Sequence, residues 1–280
     1  LLATYDYSDL GELTTLVYPH PVNESPTTSI NYGYNALGKQ ASISGSITAT
    51  SSWGAAGELT AMSWTIGGYT MNESRTYNTL TQLTRQTTTI APFNTVVQDL
   101  EYRYTAGQNN GRITGMHDYV TTEDITYTYD ALQRLVLAET GSTGPQWGQA
   151  YSYDGFGNLT AKTVTKGSGP TLSVAYDAAT NRQIGTSYDS EGNWTGWGQS
   201  YDAGGRMVEI TENGTRMRWI YNHNNKRVYK LESQPCDSDM PVEVNFYAPW
   251  GQRLTRYRYE RVMPNTCIWG RTDPTHMFYL

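Results

Sequence analysis

The sequence predicts an all-β protein: a tandem series of β-hairpins forming one long, coiled antiparallel sheet. Three observations carry that expectation. An aromatic residue followed at once by a turn-forming tract recurs along nearly the whole chain. Just upstream, tyrosines stand two residues apart, at Tyr5/Tyr7, Tyr32/Tyr34, Tyr102/Tyr104, Tyr127/Tyr129 and Tyr151/Tyr153, which places each pair on one face of a strand and would splay it around a helix. The composition, with 23 Tyr against 4 Phe, 27 Gly and 16% charged residues, suits short strands and turns.

Aligned on the aromatic before each turn, the chain reads as twelve units. In order they are Tyr7 (YSDLGEL), Tyr34 (YNALGKQ), Trp53 (WGAAGEL), Tyr77 (YNTLTQL), Tyr104 (YTAGQNNGRI) and Tyr129 (YDALQRL). Tyr153 (YDGFGNL), Tyr176 (YDAATNRQI), Tyr188 (YDSEGNW), Tyr201 (YDAGGRM), Tyr221 (YNHNNKR) and Tyr247 (YAPWGQRL) complete the series. Asp or Asn after the aromatic can accept a hydrogen bond from backbone amides two residues on and so nucleates a turn. Gly11, Gly38, Gly57, Gly157, Gly192, Gly205 and Gly251 supply the positive φ that reversal demands; Gln133 and Asn225 stand in the same place. The apolar residue that follows starts the return strand. Most neighbouring anchors lie 19 to 27 residues apart, those around Tyr188 only 12 and 13. Gly-, Pro- and Ser-containing tracts such as "TGSTGPQWGQ" and "YPHPVNESPTTS" mark the connections at the opposite end. The unit is a hairpin of roughly 22 residues, and twelve of them predict on the order of 24 strands. A sheet of that length accumulates twist and coils, as a wide spiral shell or a β-solenoid.

Bulk properties exclude several classes. A net charge of −6 argues against nucleic acid, whose non-specific binding depends on clustered cations; the tracts "TRMRW" and "RLTRYRYERV" read as solvated strand faces. A mean hydropathy of −0.59 accompanies too many aromatic and β-branched residues for disorder. No apolar run approaches a membrane span, and no signal-peptide pattern precedes the first repeat. The chain begins inside its pattern and "HMFYL" reads as a strand entering without turning. The expected organisation is a single repeat array over residues 1–280, a portion of a longer protein.

The string Tyr-Asp-x-x-Gly-(Asn/Arg)-(Leu/Met/Trp), seen at Tyr153–Leu159, Tyr188–Trp194 and Tyr201–Met207, resembles the YD repeat of the RHS family, which includes bacterial RHS and wall-associated proteins, ABC-type toxin components and teneurins. The resemblance runs from about Tyr5 to Arg256. It implies hairpins spiralling into a hollow shell, secreted or displayed at a surface and in several bacterial members enclosing a C-terminal toxin. The family's plug region, with its Asp-Pro-x-Gly element and autoproteolytic aspartates, is not matched: Asp273-Pro274 lacks the glycine, so no protease role is carried onto any residue.

Site chemistry is sparse in the sequence. His20, His117, His223 and His276 stand at no metal-ligand spacing, and no nucleophile elbow or phosphate-binding Gly loop occurs. No catalytic residue, metal or cofactor is expected. Asp189–Asn193 has alternating oxygen ligands but lacks the distant Glu of a calcium loop, and its register is that of the repeat turn. "WGQ" recurs at Trp147, Trp197 and Trp250, either sheet packing or a sugar-stacking platform, packing being the expectation. Cys236 and Cys267, with one hairpin between them, form either a disulfide or two free thiols. Sequons at Asn23, Asn72, Asn158, Asn193 and Asn213 are chance matches in Thr- and Ser-rich sequence if the source is bacterial.

The functional expectation is a non-catalytic scaffold, exported or at the cell surface. Its partners would be the rest of a longer YD-repeat protein, an enclosed toxin cargo, or identical subunits joined head to tail through unpaired terminal strands. The alternative is an adhesin binding glycans or a neighbouring cell, with residues 91–97 and 141–146 as contact loops.

Overall fold

The computed structural model describes residues 2–20, 28–107, 109–212, 214–233, 239–261, 269–271 and 275–276. Among them are twenty-three strands and no helix long and apolar enough to cross a membrane. In chain order the first eight are β1 (Leu2–Tyr7), β2 (Leu13–His20), β3 (Ser29–Tyr34), β4 (Gln40–Gly45), β5 (Thr48–Trp53), β6 (Leu59–Ile66), β7 (Tyr69–Tyr77) and β8 (Leu83–Ala91). Then come β9 (Thr95–Tyr104), β10 (Ile113–Asp118), β11 (Glu123–Tyr129), β12 (Leu135–Thr140), β13 (Gly148–Tyr153), β14 (Leu159–Lys166), β15 (Leu172–Ser173) and β16 (Ser200–Tyr201). The last seven are β17 (Met207–Glu212), β18 (Thr215–Tyr221), β19 (Arg227–Ser233), β20 (Asp239–Tyr247), β21 (Arg253–Arg261), β22 (Trp269–Arg271) and β23 (Thr275–His276).

The chain divides into two compact units, one comprising Leu1–Ser29 with Gly185–Leu280 and the other Ile30–Ile184. In the second unit β3 to β15 pair in sequence order as one antiparallel sheet. In the first, β1 pairs β2, and β16 to β22 likewise follow sequence order, with β23 also on β21. Pairing of chain neighbours is what short reversals impose.

Every full repeat hairpin carries the same irregularity. Tyr129 faces Leu135 while Thr128 already faces Leu137, so Val136 is an extra residue on the return strand. The same one-residue step follows Tyr7, Tyr34, Trp53, Tyr77, Tyr104, Tyr153, Tyr201, Tyr221 and Tyr247. A bulge at this place bends its strand and increases the local right-handed twist. Repetition at each turn gives every such hairpin added twist of the same hand.

Period-two alternation sorts the faces of the second unit. Its fully buried side chains, including Ile30, Ile43, Ala49, Ile125 and Ala138, all lie on the face that bears the anchor aromatics. Buried polar groups there are paired: Glu73 takes Arg75 at 2.6 Å and Gln86 at 2.9 Å, and Thr88 meets Gln98 at 3.1 Å. The opposite face is charged and Thr-rich. Asp99 holds Arg85 by two bonds of 2.8 Å, and Asp124 holds Arg103 and His117. The Tyr-bearing face is therefore the packed one.

The expected series of twelve hairpins is corrected between β15 and β16. The units at Tyr176 and Tyr188 reduce to single bridges, Tyr176 with Gln183 and Tyr188 with Trp194. Anchors 12 and 13 residues apart leave room for the turn but not for two strands of ordinary length. At Tyr176 the turn is one residue longer, with Asp177 N donating to Arg182 O and Asn181 at φ 57°. The expected return residue Ile184 is pushed past the bridge and is 60% exposed.

In the first unit two sheets meet, one through β2 and the other through β21. Tyr257 of β21 lies on the face of β20–β21 away from Tyr247, packs edge-on to Phe246 at 5.7 Å, and donates its hydroxyl to Pro19 O of β2 at 2.8 Å. Leu16, Tyr18, Leu254 and Thr255 are fully buried, so β21 is covered on the face an isolated ribbon would leave wet.

Candidate functional site: the latched row of repeat turns

Ten of the repeat turns are five-residue loops built in the same way. In the loop after Tyr129, Asp130 N donates to Arg134 O and Gln133 N to Asp130 O, both at 2.9 Å. Asp130 Oδ1 accepts from Leu132 N at 2.9 Å and Arg134 N at 2.8 Å. Equivalent backbone pairs close ten turns, those beginning at Ser8, Asn35, Gly54, Asn78, Asp130, Asp154, Asp189, Asp202, Asn222 and Ala248. Gly54 and Ala248 manage without a side-chain acceptor, so the backbone loop is the invariant and the Asx oxygen reinforces it. The fourth loop residue has positive φ throughout, at Gly11, Gly38, Gly57, Gly157, Gly192, Gly205 and Gly251 and also at Thr81, Gln133 and Asn225.

These hydrogen bonds hold the turn carboxylates below their usual range. For Asp154 the side-chain amide of Asn158 is the main cause and backbone amides of Asn158 and Phe156 add to it. For Asp202 the leading cause is the Arg206 guanidinium, and for Asp130 the amide of Arg134 leads, joined by its guanidinium. Asp189 is lowered first by the Asn193 side chain; its Oδ1 takes Asn193 N and Oδ2 takes Asn193 Nδ2. The Asp189–Asn193 oxygens thus serve the turn.

The anchors sit where the turns begin. Tyr7, Tyr34, Trp53, Tyr77, Tyr104, Tyr129, Tyr153, Tyr201, Tyr221 and Tyr247 are each the last residue of a strand, and Tyr176 and Tyr188 each form a bridge. Their hydroxyls reach the previous hairpin. Tyr77 donates to Leu59 O (2.7 Å), Tyr104 to Leu83 O (3.0 Å), Tyr129 to Ile113 O (2.9 Å) and Tyr153 to Leu135 O (2.8 Å). Tyr201 donates to Trp194 O, Tyr221 to Met207 O and Tyr247 to Arg227 O. Trp53 does the same with its indole, Nε1 donating to Gln40 O at 2.9 Å. In each case the acceptor is the first residue after the preceding turn, and in all but Trp194, which stands at a single bridge, it lies at the bulge where the ladder is interrupted. The anchor is a latch from hairpin to hairpin, which explains why the position is Tyr and not Phe.

A cation from the preceding turn covers the anchor ring. Arg112 lies 5.3 Å from the Tyr129 centroid, Arg134 4.7 Å from Tyr153, Arg206 5.0 Å from Tyr221 and Lys39 5.6 Å from Trp53. Arg134 Nη1 also donates to Asp154 O, and Arg206 Nη1 to Asn225 Oδ1. The sequence reading paired tyrosines along a strand and missed these partners. The signals were present: Tyr outnumbers Phe 23 to 4, and Lys or Arg stands just before the return-strand residue in several units.

The other sequence-derived residues fall elsewhere. Cys236 and Cys267 lie outside the described residues. His117 is on the polar face, 3.2 Å from Asp124 Oδ2, and His223 is in the turn after Tyr221. Among the described residues no group of three or more His, Cys, Asp or Glu could hold a metal ion. The expected packing of the WGQ tryptophans is corrected for two of them: Trp197 is 69% and Trp250 46% exposed, because each occupies a turn tip. Trp147 is half-buried and bonds Glu123. A shallow groove of about 620 Å³ between the turns after Tyr221 and Tyr247 is lined by Lys226, Arg227 and Arg253.

No family model and no curated protein sequence matches the chain. Solved structures do. A TcdB2–TccC3–Cdc42 crystal structure aligns with a TM-score of 0.58 at 15% identity, covering 96% of this chain. A TcdB2–TccC3 crystal structure gives 0.57 at 16% over 90%, and the Photorhabdus luminescens Tc holotoxin pore 0.53 at 14% over 93%. In each case this chain spans 17% of the length of the other. The likeness is one of fold: the all-β hairpin sheet is shared with chains about six times as long.

Proposed function

We propose that this chain is a structural, non-catalytic stretch of wall from an exported RHS/YD-repeat protein, whose sheet encloses a cargo such as a C-terminal toxin. The observation that carries the reading is the latch: nine of the described anchors hand a hydrogen bond to the unit before them, so the side chains that distinguish the repeat are used to build a continuous wall. The likeness to toxin-complex structures supports it. The test is protease protection of the parent polypeptide's C-terminal region. It is expected to resist digestion while the sheet is folded and to be cleaved when latch tyrosines 104, 129 and 153 are replaced together by Phe. Equal cleavage in both forms sinks the enclosure. Turnover in a broad hydrolase screen, lost on a single substitution, sinks the non-catalytic reading, and recovery of the parent protein solely from the cytoplasm sinks export.

A second reading, a glycan-binding surface, is favoured by Trp197 alone, whose 69% exposed ring is steadied edge-on by Trp194 at 4.7 Å. Glycan-array signal that disappears in Trp197→Ala would move the assignment from wall to adhesin.

A further inference from the structure

The rim of the second unit opposite the repeat turns carries a group of large apolar side chains that nothing within the unit covers. Three consecutive reversals form it. The turn between β6 and β7 presents Ile66 (62% exposed) and Tyr69 (49%), and beside it stand Phe93 (68%) in the turn between β8 and β9 and Val97 (44%) at the bulge of β9. The turn between β10 and β11 presents Tyr119 (45%) and Val120 (47%). Pairing of Thr70 with Ala91 brings the first two tips side by side, and the rings of Tyr69 and Phe93 meet at 6.3 Å. The third tip is set one step lower, where Tyr119 N donates to Asp99 O at 2.9 Å. Tyr119 is held there by its hydroxyl on Glu101 at 2.8 Å and by Arg85 over its ring at 4.3 Å.

Isolated exposed apolar residues need no explanation, but six at or beside adjoining tips do. Residues 65–70, 91–97 and 119–122 contain no charged side chain, in a chain of net charge −6. Two copies could therefore meet here without the repulsion that the acidic remainder of the surface would generate. The first unit shows what covers the same rim when a cover is present. Pro19 stands at the corresponding end of β2, and it is closed by Tyr257 of β21, a strand of this chain's other sheet, with Tyr18 and Tyr257 buried. Half-exposed side chains of this size amount to on the order of 600 Å² per copy, or about 1,200 Å² for two facing copies, the lower end of specific interfaces.

We propose that this rim is a self-association surface, by which a second copy of the chain docks rim to rim about a two-fold axis. Such a contact is closed and isologous, unlike the pairing of terminal strands into a filament. It is independent of the enclosed-cargo reading. The test is sedimentation equilibrium of the 280-residue chain up to roughly 100 µM, where an interface of this size is expected to hold a dimer. The double change Tyr69→Ser/Phe93→Ser alters two exposed tips and is expected to weaken the dimer at least about tenfold, with an unchanged circular dichroism spectrum and melting temperature. Leu132→Ser/Phe156→Ser, at the repeat-turn rim, is the control and is expected to dimerise as the parent does. A chain that stays monomeric throughout, or a dimer indifferent to Tyr69 and Phe93, overturns the proposal. So does a monomer that floats with phosphatidylcholine vesicles through those two side chains, which would make the rim a lipid contact.

Discussion

A tyrosine hydroxyl is worth little until a neighbouring hairpin supplies a carbonyl, and the latch shows both halves of that bargain. Tyr153 is half-buried, and its hydroxyl bonds Leu135 O at 2.8 Å. Tyr153→Phe keeps the ring under Arg134 and removes only that bond, so a loss of about 1 kcal/mol is expected, a fall of a few degrees in melting temperature by calorimetry. No change would mean the hydroxyl is equally well served by water. The turn carboxylates give a pH dependence of defined sign. Asp130, Asp154, Asp189 and Asp202 are held below their ordinary range in the folded state. Their contribution is complete above the unfolded value, near pH 4, and is lost as pH falls through the lower folded values. Melting temperature is therefore expected to drop on acidification below about pH 4, and Asp154→Asn, which keeps the Oδ1 acceptor but cannot titrate, is expected to reduce that slope.

Within a hairpin, the turn sets the register and the bulge sets the curvature. Gly157 sits at φ 92° with open space where a Cβ would stand, so Gly157→Ala meets a backbone penalty alone, about 1–2 kcal/mol. Thr81 occupies the same loop position at φ 57° with a β-branched side chain, the type least suited to it. Thr81→Gly is expected to stabilise by about 0.5–1 kcal/mol once the greater freedom of glycine in the unfolded chain is subtracted. Opposite signs for these two changes in urea denaturation are the signature of a common loop; equal signs would mean the two turns differ.

At the scale of the whole molecule the contact that matters joins residues 238 apart. Tyr257 is 4% exposed and its hydroxyl meets Pro19 O. Tyr257→Phe leaves that carbonyl buried beside a ring edge and is expected to cost about 1–3 kcal/mol, more than the half-buried latch at Tyr153. Amide exchange should accelerate at Leu16 and Tyr18 of β2, far from the substitution in sequence. Unchanged exchange there would show that β21 does not hold β2.

What the sequence determined by itself was whatever closes within one unit. An Asx residue, a positive-φ position and an apolar return residue specify a five-residue loop through bonds made inside it, so the twelve anchors and most of the strands were legible. The shortfall at Tyr176 and Tyr188 was half-legible, since spacings of 12 and 13 residues already left too little chain for paired strands. The carbonyl that each anchor takes, the Arg that covers its ring and the meeting of Tyr257 with Pro19 depend on where the next hairpin, or one many hairpins later, comes to lie. That placement is the sum of a small twist added at every bulge, a quantity no local pattern of residue types records, and only the tertiary structure decided it.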